Sequence, residues 1–152
     1  RQPQDLPKFK KLLGDGSKLG IKISYKVQLE PNGIAESFII GEEFICDDNV
    51  CLILGDNIFH GEEFISNINI AKKNLLNGYS SIFGVSVQNP ESFGVIEFDE
   101  NKNVIKISEK PKDVKSNIIV SGIYFYTNDV FELICFFKYS ALENAFPHES
   151  HL

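Results

Sequence analysis

The chain has 152 residues, 43% of them hydrophobic and 24% charged, the balance of one soluble globular domain rather than of a disordered chain. Its 21 acidic and 15 basic residues leave a net charge of −6, which argues against general nucleic-acid binding. No apolar run approaches the roughly 20 residues of a membrane span. Leu6, Phe9, Leu12 and Leu13 recur at helical spacing; Asp5 is the expected N-cap, Pro7 fits the first turn and Gly14 stops the run. Ile21–Val27 alternates apolar and polar residues and reads as a strand with one face covered. After the turn Pro31-Asn32-Gly33, Asn32 is placed to cap a helix from about Ile34 to Phe44.

Val50–Leu54 is short and continuously apolar, as in a strand buried on both faces of a parallel sheet. Phe64, Ile68, Ala71 and Leu75 step by four, three and four along an amphipathic helix that Gly78 ends. Ser81–Val87 is the next strand. Gly94–Phe98 and Val104–Ile107 form a hairpin through Asp99–Asn103, and Ile118–Tyr126 is a further strand. Asp129-Val130-Phe131-Glu132 resembles a capping box opening a helix to about Phe137. Alternating helices and strands predict an α/β fold: a mixed, mostly parallel sheet with helices on both faces. Ligands in such sheets sit beyond the carboxyl ends of the strands, so residues just after strands come first for chemistry. Cys46, Cys51 and Cys135 lie in apolar surroundings without CxxC spacing and read as reduced core cysteines of a cytoplasmic protein.

Three strand-end segments carry candidate chemistry. Asp56, in Leu54-Gly55-Asp56-Asn57, is either a turn residue or a Mg²⁺ ligand, since Mg²⁺ takes one or two carboxylates together with substrate phosphates. In Glu109-Lys110-Pro111, Lys110 is either a surface charge or a point-charge ligand of phosphate, and Glu109 can accept hydrogen bonds from sugar hydroxyls. In Gln28–Ile34, the Gln28 amide can both donate to and accept from a pyrimidine edge, and Gly33 lets a base approach backbone; an ordinary strand-to-helix turn explains the same residues. His60 near Asp56 is either a site residue or an ordinary loop histidine, and the terminal pair His148 and His151 read as solvated histidines.

Taken in order, Asp5-Leu6-Pro7, Gly14-Asp15-Gly16-Ser17, Tyr25-Lys26-Val27-Gln28, Gly33–Gly41, Leu54–Phe59, Phe93–Asp99, Glu109-Lys110-Pro111, Lys115-Ser116-Asn117 and Gly122–Tyr126 resemble the glucose-1-phosphate thymidylyltransferases of the sugar nucleotidyltransferase family, over roughly Pro3 to Ala141. The resemblance implies a Rossmann-like nucleotidyltransferase fold. It also implies the reaction of dTTP with glucose 1-phosphate to give dTDP-glucose and pyrophosphate, with Mg²⁺ as cofactor. By position, Gln28 and Gly33 resemble the thymine-binding residues, and Asp56 the first metal carboxylate. Gly94, Glu109, Val120 and Tyr124 resemble the sugar side, and Lys110 the ligand of the sugar phosphate. Intact members are expected to be homo-oligomers.

The departures are also specific. The family's N-terminal strand and glycine-rich triphosphate loop are not among these residues, and no Met is present. Leu29 stands where Pro is usual and Phe93 where a sugar-contacting Tyr is usual. After Lys138–Ala141, residues 142–152 diverge from the family's Arg-Gly-Glu-Leu-Glu, so the expected organisation is a partial nucleotidyltransferase domain, 1–141, and a divergent tail. These 152 residues alone are expected to be nearly inactive and, with a sheet edge open, poorly stable or self-associating. A UTP-dependent sugar-1-phosphate nucleotidyltransferase and a non-catalytic sugar-phosphate binding module are the alternatives.

Overall fold

The computed structural model describes residues 3–101, 103–132 and 134. Cys135, the end of the helix expected to reach Phe137, the Lys138–Ala141 motif, the 142–152 tail and its two histidines lie outside them. The described residues form two compact units, one from those up to Asp48 together with those from Asn128 on, and one from Asn49–Thr127.

In the first unit, helix α1 spans Leu6–Leu13 and α2 spans Glu36–Ile45. Pro7 sits in the first turn of α1, where a missing N–H costs nothing. Gly14 ends α1 with its N–H on the Lys10 carbonyl. Asp5 holds the N-cap position of α1, as expected, but its side chain makes no cap bond, and Asn32 is not the cap of α2. The Asp5 carboxylate accepts from Lys8 Nζ at 3.3 Å, and Asn32 Nδ2 donates to Glu36 Oε1 at 2.9 Å while Ala35 occupies the cap position. Residues 130–132 and 134 are helical, as expected after Asp129.

The strand expected at Ile21–Val27 does not form. Its burial does alternate, with Ile23, Tyr25 and Val27 half-buried and Lys22, Ser24 and Lys26 exposed. A strand needs a ladder, however, and this segment pairs with no other strand among the described residues. Its fixed points are turn bonds instead: Ile21 and Ile23 donate their N–H groups to Gly16 and Asp15, and the Tyr25 hydroxyl donates to the Gly14 carbonyl at 2.6 Å.

The second unit holds one sheet of β1 (Val50–Ile53), β2 (Ser81–Ser86), β3 (Gly94–Phe98), β4 (Val104–Glu109) and β5 (Ile118–Tyr126), with helix α3 (Phe64–Leu76) against it. Strand β5 is the centre. It carries β2 along one edge, and β1 then β3 along the other. Every pairing is antiparallel, which corrects the expected mostly parallel sheet. The physical reason is insertion. Strands β1 and β2, joined through α3, do run in the same direction, but β5 lies between them and runs against both. Strand β1 is also not buried on both faces: alternate residues are exposed, Ile53 at 54%.

The expected apolar face of α3 does form the core. Phe64, Ile68 and Leu75 pack with Phe59 and Phe83 around the buried Ala71, Ile123 and Phe125. Fully burying a large apolar side chain is worth about 1.5–3 kcal/mol; Ile123 and Phe125 approach that, and the half-buried side chains around them contribute less. Cys46 and Cys51 are free and exposed rather than in the core. Cys46 ends α2 at φ +51, and Cys51 lies on the outward-facing positions of β1. Among the described residues no helix is long and apolar enough to cross a membrane.

The β3–β4 hairpin is where expected, and Asp99 organises its tip. Its carboxylate accepts from the Asn103 amide at 2.9 Å and from the N–H groups of Asn103 and Asn101 at 2.8 and 2.9 Å. The Asn103 side chain and then its backbone N–H hold the Asp99 carboxyl below its ordinary value. A lowered folded pKa stabilises above the ordinary carboxylate range and is lost as pH falls through the folded value. Amide protection at Asn101 and Asn103 is therefore expected to fall on acidification. Asp99→Asn should flatten that dependence; an unchanged pH profile in the variant would locate the effect elsewhere.

Candidate functional site

The turn after β1 presents Asp56. The Leu54 N–H donates to the Gly122 carbonyl at 2.9 Å, extending the β1–β5 pairing by one residue, and the Asn57 N–H turns back to the Leu54 carbonyl at 3.3 Å. Asp56 is exposed. One carboxylate oxygen accepts from Asn57 Nδ2 at 3.3 Å, and the other has no partner among the described residues. No group of three or more His, Cys, Asp or Glu side chains converges among the described residues. The donor set is thus a single hard carboxylate beside Gly55. That suits a divalent cation completed by water and phosphate oxygens better than an all-protein cage.

Further along β5 the sugar-side candidates meet. Gly94 pairs with Glu109 across the hairpin. A Cβ on Gly94 would stand 2.9 Å from Val120 Cγ2 and 3.3 Å from Glu109 Oε2. The absent side chain therefore allows Val120 and the Glu109 carboxylate to close over the backbone. Burial, and then the Glu109 charge, raise the Tyr124 phenol above its ordinary value. Tyr126 lies parallel to Tyr124, with ring centres 5.9 Å apart. Lys110 adopts φ +43, and its N–H donates to the Phe93 carbonyl at 3.0 Å. Its side chain is exposed and makes no ion pair among the described residues. Glu109→Gln is expected to lower the Tyr124 titration without removing the part due to burial. Tyrosinate absorbance across alkaline pH measures this, and an unmoved curve would mean that Glu109 does not face the ring.

Gln28 and Gly33 come together in the first unit. Gln28 Nε2 donates to the Gly33 carbonyl at 3.0 Å and to Glu36 Oε2 at 2.6 Å. The other Glu36 oxygen receives Asn32 Nδ2. The Gln28 donor is thereby committed and its carbonyl oxygen left to accept. Gln28 also lines a cavity of about 500 Å³, with Phe9, Tyr25, Ser37, Ile40 and Phe44 among its walls. Sequence reasoning missed Glu36, although Asn32 and Glu36 stand four apart at a helix start. It also missed Asn57, whose contact with Gly122 has no local signal.

The nucleotidyl transferase family model matches residues 2–148. The chain belongs to that family. It is 50% identical to the glucose-1-phosphate thymidylyltransferase of Neisseria meningitidis, over 91% of this chain and 48% of that protein. It is 43% identical to the enzyme of the same name from Mycobacterium tuberculosis, over 91% of this chain and 47% of the relative. The chain thus spans about half the length of the curated relatives it matches. A crystal structure of a candidate glucose-1-phosphate thymidylyltransferase from Bacillus anthracis, in complex with sucrose, superposes with a TM-score of 0.71 at 34% identity, covering 84% of this chain and 50% of that one. An apo UDP-glucose pyrophosphorylase shares the fold, with a TM-score of 0.64 at 21% identity, over 89% of this chain and 55% of that one. The α/β nucleotidyltransferase fold is therefore the fold of this chain, with the strand directions corrected as above.

Proposed function

We propose that this chain carries the metal and sugar-phosphate side, and part of the base site, of a glucose-1-phosphate thymidylyltransferase. The reaction transfers a thymidylyl group from dTTP to α-D-glucose 1-phosphate, giving dTDP-glucose and pyrophosphate. The observation that carries the reading is the convergence along Val120–Tyr124 of β5. Gly94 and Glu109 stand at Val120, Asn57 beside Asp56 stands at Gly122, and Tyr124 lies within the field of Glu109. The names of the relatives support the same choice of substrates.

In this reading a phosphate oxygen of the sugar phosphate attacks the α-phosphorus of dTTP. The new P–O bond forms as the bond from the α-phosphorus to the bridging oxygen breaks, and pyrophosphate leaves. Such transfers are catalysed mainly by positioning and charge neutralisation. Glu109 accepts from sugar hydroxyls, Gly94 admits the ring close to backbone, and Val120 and Tyr124 pack against its apolar face. Lys110 places its ammonium on the sugar phosphate. Asp56 would hold Mg²⁺, which when bound offsets charge on the triphosphate. The free Gln28 carbonyl accepts the ring N–H of thymine, beside Gly33. Since dTTP and sugar phosphates are metabolites of the cytoplasm, we place the reaction there.

Because the chain spans about half the length of its relatives, ligand binding is the informative readout. Titrating ¹⁵N-labelled chain with glucose 1-phosphate is expected to shift the amides of Gly94, Glu109, Val120 and Tyr124 together. Shifts confined to other residues, or none at millimolar ligand, would overturn the sugar-phosphate assignment.

A further inference from the structure

Gly122 interrupts β5 at φ +82, in the left-handed region that side chains rarely adopt. It lies at a break in register. Tyr124 pairs with Ile82 and Val120 with Gly84, so Ser121, Gly122 and Ile123 stand opposite Phe83 alone. The space a side chain would take at Gly122 is filled. A Cβ there would lie 2.5 Å from Asn57 Nδ2, 3.3 Å from Asn57 Cγ and 3.2 Å from Leu54 Cδ1. The Asn57 amide is thus seated against bare backbone in the bulge, and its Nδ2 donates to Asp56 Oδ1.

We propose that Gly122 and Asn57 form a positioning pair for the Asp56 carboxylate. The missing Cβ seats the amide, the amide holds one carboxylate oxygen, and the other oxygen is turned to a divalent cation. The inference rests on reading Asp56 as the metal carboxylate. Its physical basis is that Asp56 is exposed at a turn, with no other hydrogen-bond partner among the described residues. Without the amide, its side chain would spread over several rotamers; outer partners of this kind orient metal ligands.

The test uses the ¹⁵N-labelled chain with Mn²⁺ alone, read as selective broadening of the amides of residues 55–57. Asp56→Asn is expected to abolish the selective broadening. Asn57→Ala and Gly122→Ala should each raise the Mn²⁺ needed for half-broadening by about tenfold, the lower end for loss of an outer-sphere partner. In the Asn57→Ala background, Gly122→Ala should raise it no further, because no amide is left for the new methyl to displace. Its thermal destabilisation should persist in both backgrounds, so a purely structural role is separable from positioning. The metal-free chain should also show a cross-relaxation signal between the Asn57 side-chain amide and the Gly122 α-protons. Should Gly122→Ala fail to fold, the exposed Asn57→Ala carries the comparison. Neutrality of Asn57→Ala while Asp56→Asn abolishes broadening, or absence of the cross-relaxation signal, would overturn the positioning pair alone. Neutrality of Asp56→Asn would overturn the metal reading and the pair with it.

Discussion

Phe125→Ala is expected to abolish cooperative folding of the Asn49–Thr127 unit. The ring is 6% exposed and shares one cluster with Ala71 and Ile123. Its ring centre is 5.9 Å from that of Phe83. Its backbone stands between Cys51 on one edge of β5 and Ser81 on the other. Truncating a buried Phe costs about 3–5 kcal/mol, the lost transfer energy plus the cavity left behind. Whole domains are stable by only about 5–15 kcal/mol, and a small unit sits at the low end. The substitution therefore removes most of the margin. Ile58→Ala is the internal control: Ile58 is 96% exposed, and a surface change of this kind shifts stability by about 0.5 kcal/mol or less. Urea denaturation followed by near-ultraviolet circular dichroism distinguishes the two. A Phe125→Ala midpoint equal to that of the unsubstituted chain would mean that β5 is not the centre of the core.

The same strand shows where sequence reasoning stopped. Periodicity is local, so it located the α3 face of Phe64, Ile68, Ala71 and Leu75, the β3–β4 hairpin, and both ends of β5. Alternation of helix and strand also gave the common direction of β1 and β2. It could not give adjacency, because insertion of β5 between them depends on residues some seventy positions from β1. The Ile21–Val27 segment has the alternating side chains of a strand and even their alternating burial. The ladder that would make it one must come from elsewhere.

The candidate site divides in the same way. Asp56, Glu109 and Lys110 stood out as candidates in the sequence because each lies at or shortly after a strand end, and Gly33 because it marks a turn. The Asn57 contact with Gly122 and the Glu36 clamp on Gln28 were not, since each joins groups that only the folded chain brings together. Asp5 and Asn32 had the right chemistry for caps, but Lys8 and Glu36 offered those polar groups competing partners. Gly94 and Gly122 share a logic that no local pattern reveals. Each omits a side chain where a polar group from elsewhere in the chain lies against the sheet: the Glu109 carboxylate in one case, the Asn57 amide in the other.

Lys110→Ala should weaken glucose 1-phosphate binding by about tenfold or more while leaving the fold intact. The Lys110 N–H on the Phe93 carbonyl ties the residue beside Gly94, and its ammonium is exposed without an ion pair among the described residues. A hydrogen bond to a charged group is worth about 1.5–3 kcal/mol. Exposure and salt screening favour the lower end, and about 1.4 kcal/mol is a tenfold change in affinity. Lys110→Arg keeps the charge but replaces a compact ammonium with a planar fork, so it should restore binding only in part. The backbone supplies a sharper control. Lys110 holds φ +43, a conformation that strains a residue with a side chain and suits glycine. Lys110→Gly should therefore raise the melting temperature slightly while binding falls as far as in the Ala variant. That opposite movement of stability and affinity cannot come from general damage to the fold. Calorimetric titration with glucose 1-phosphate at low and at physiological salt measures it. Equal affinity in the Ala, Gly and unsubstituted chains would remove Lys110 from the sugar-phosphate site.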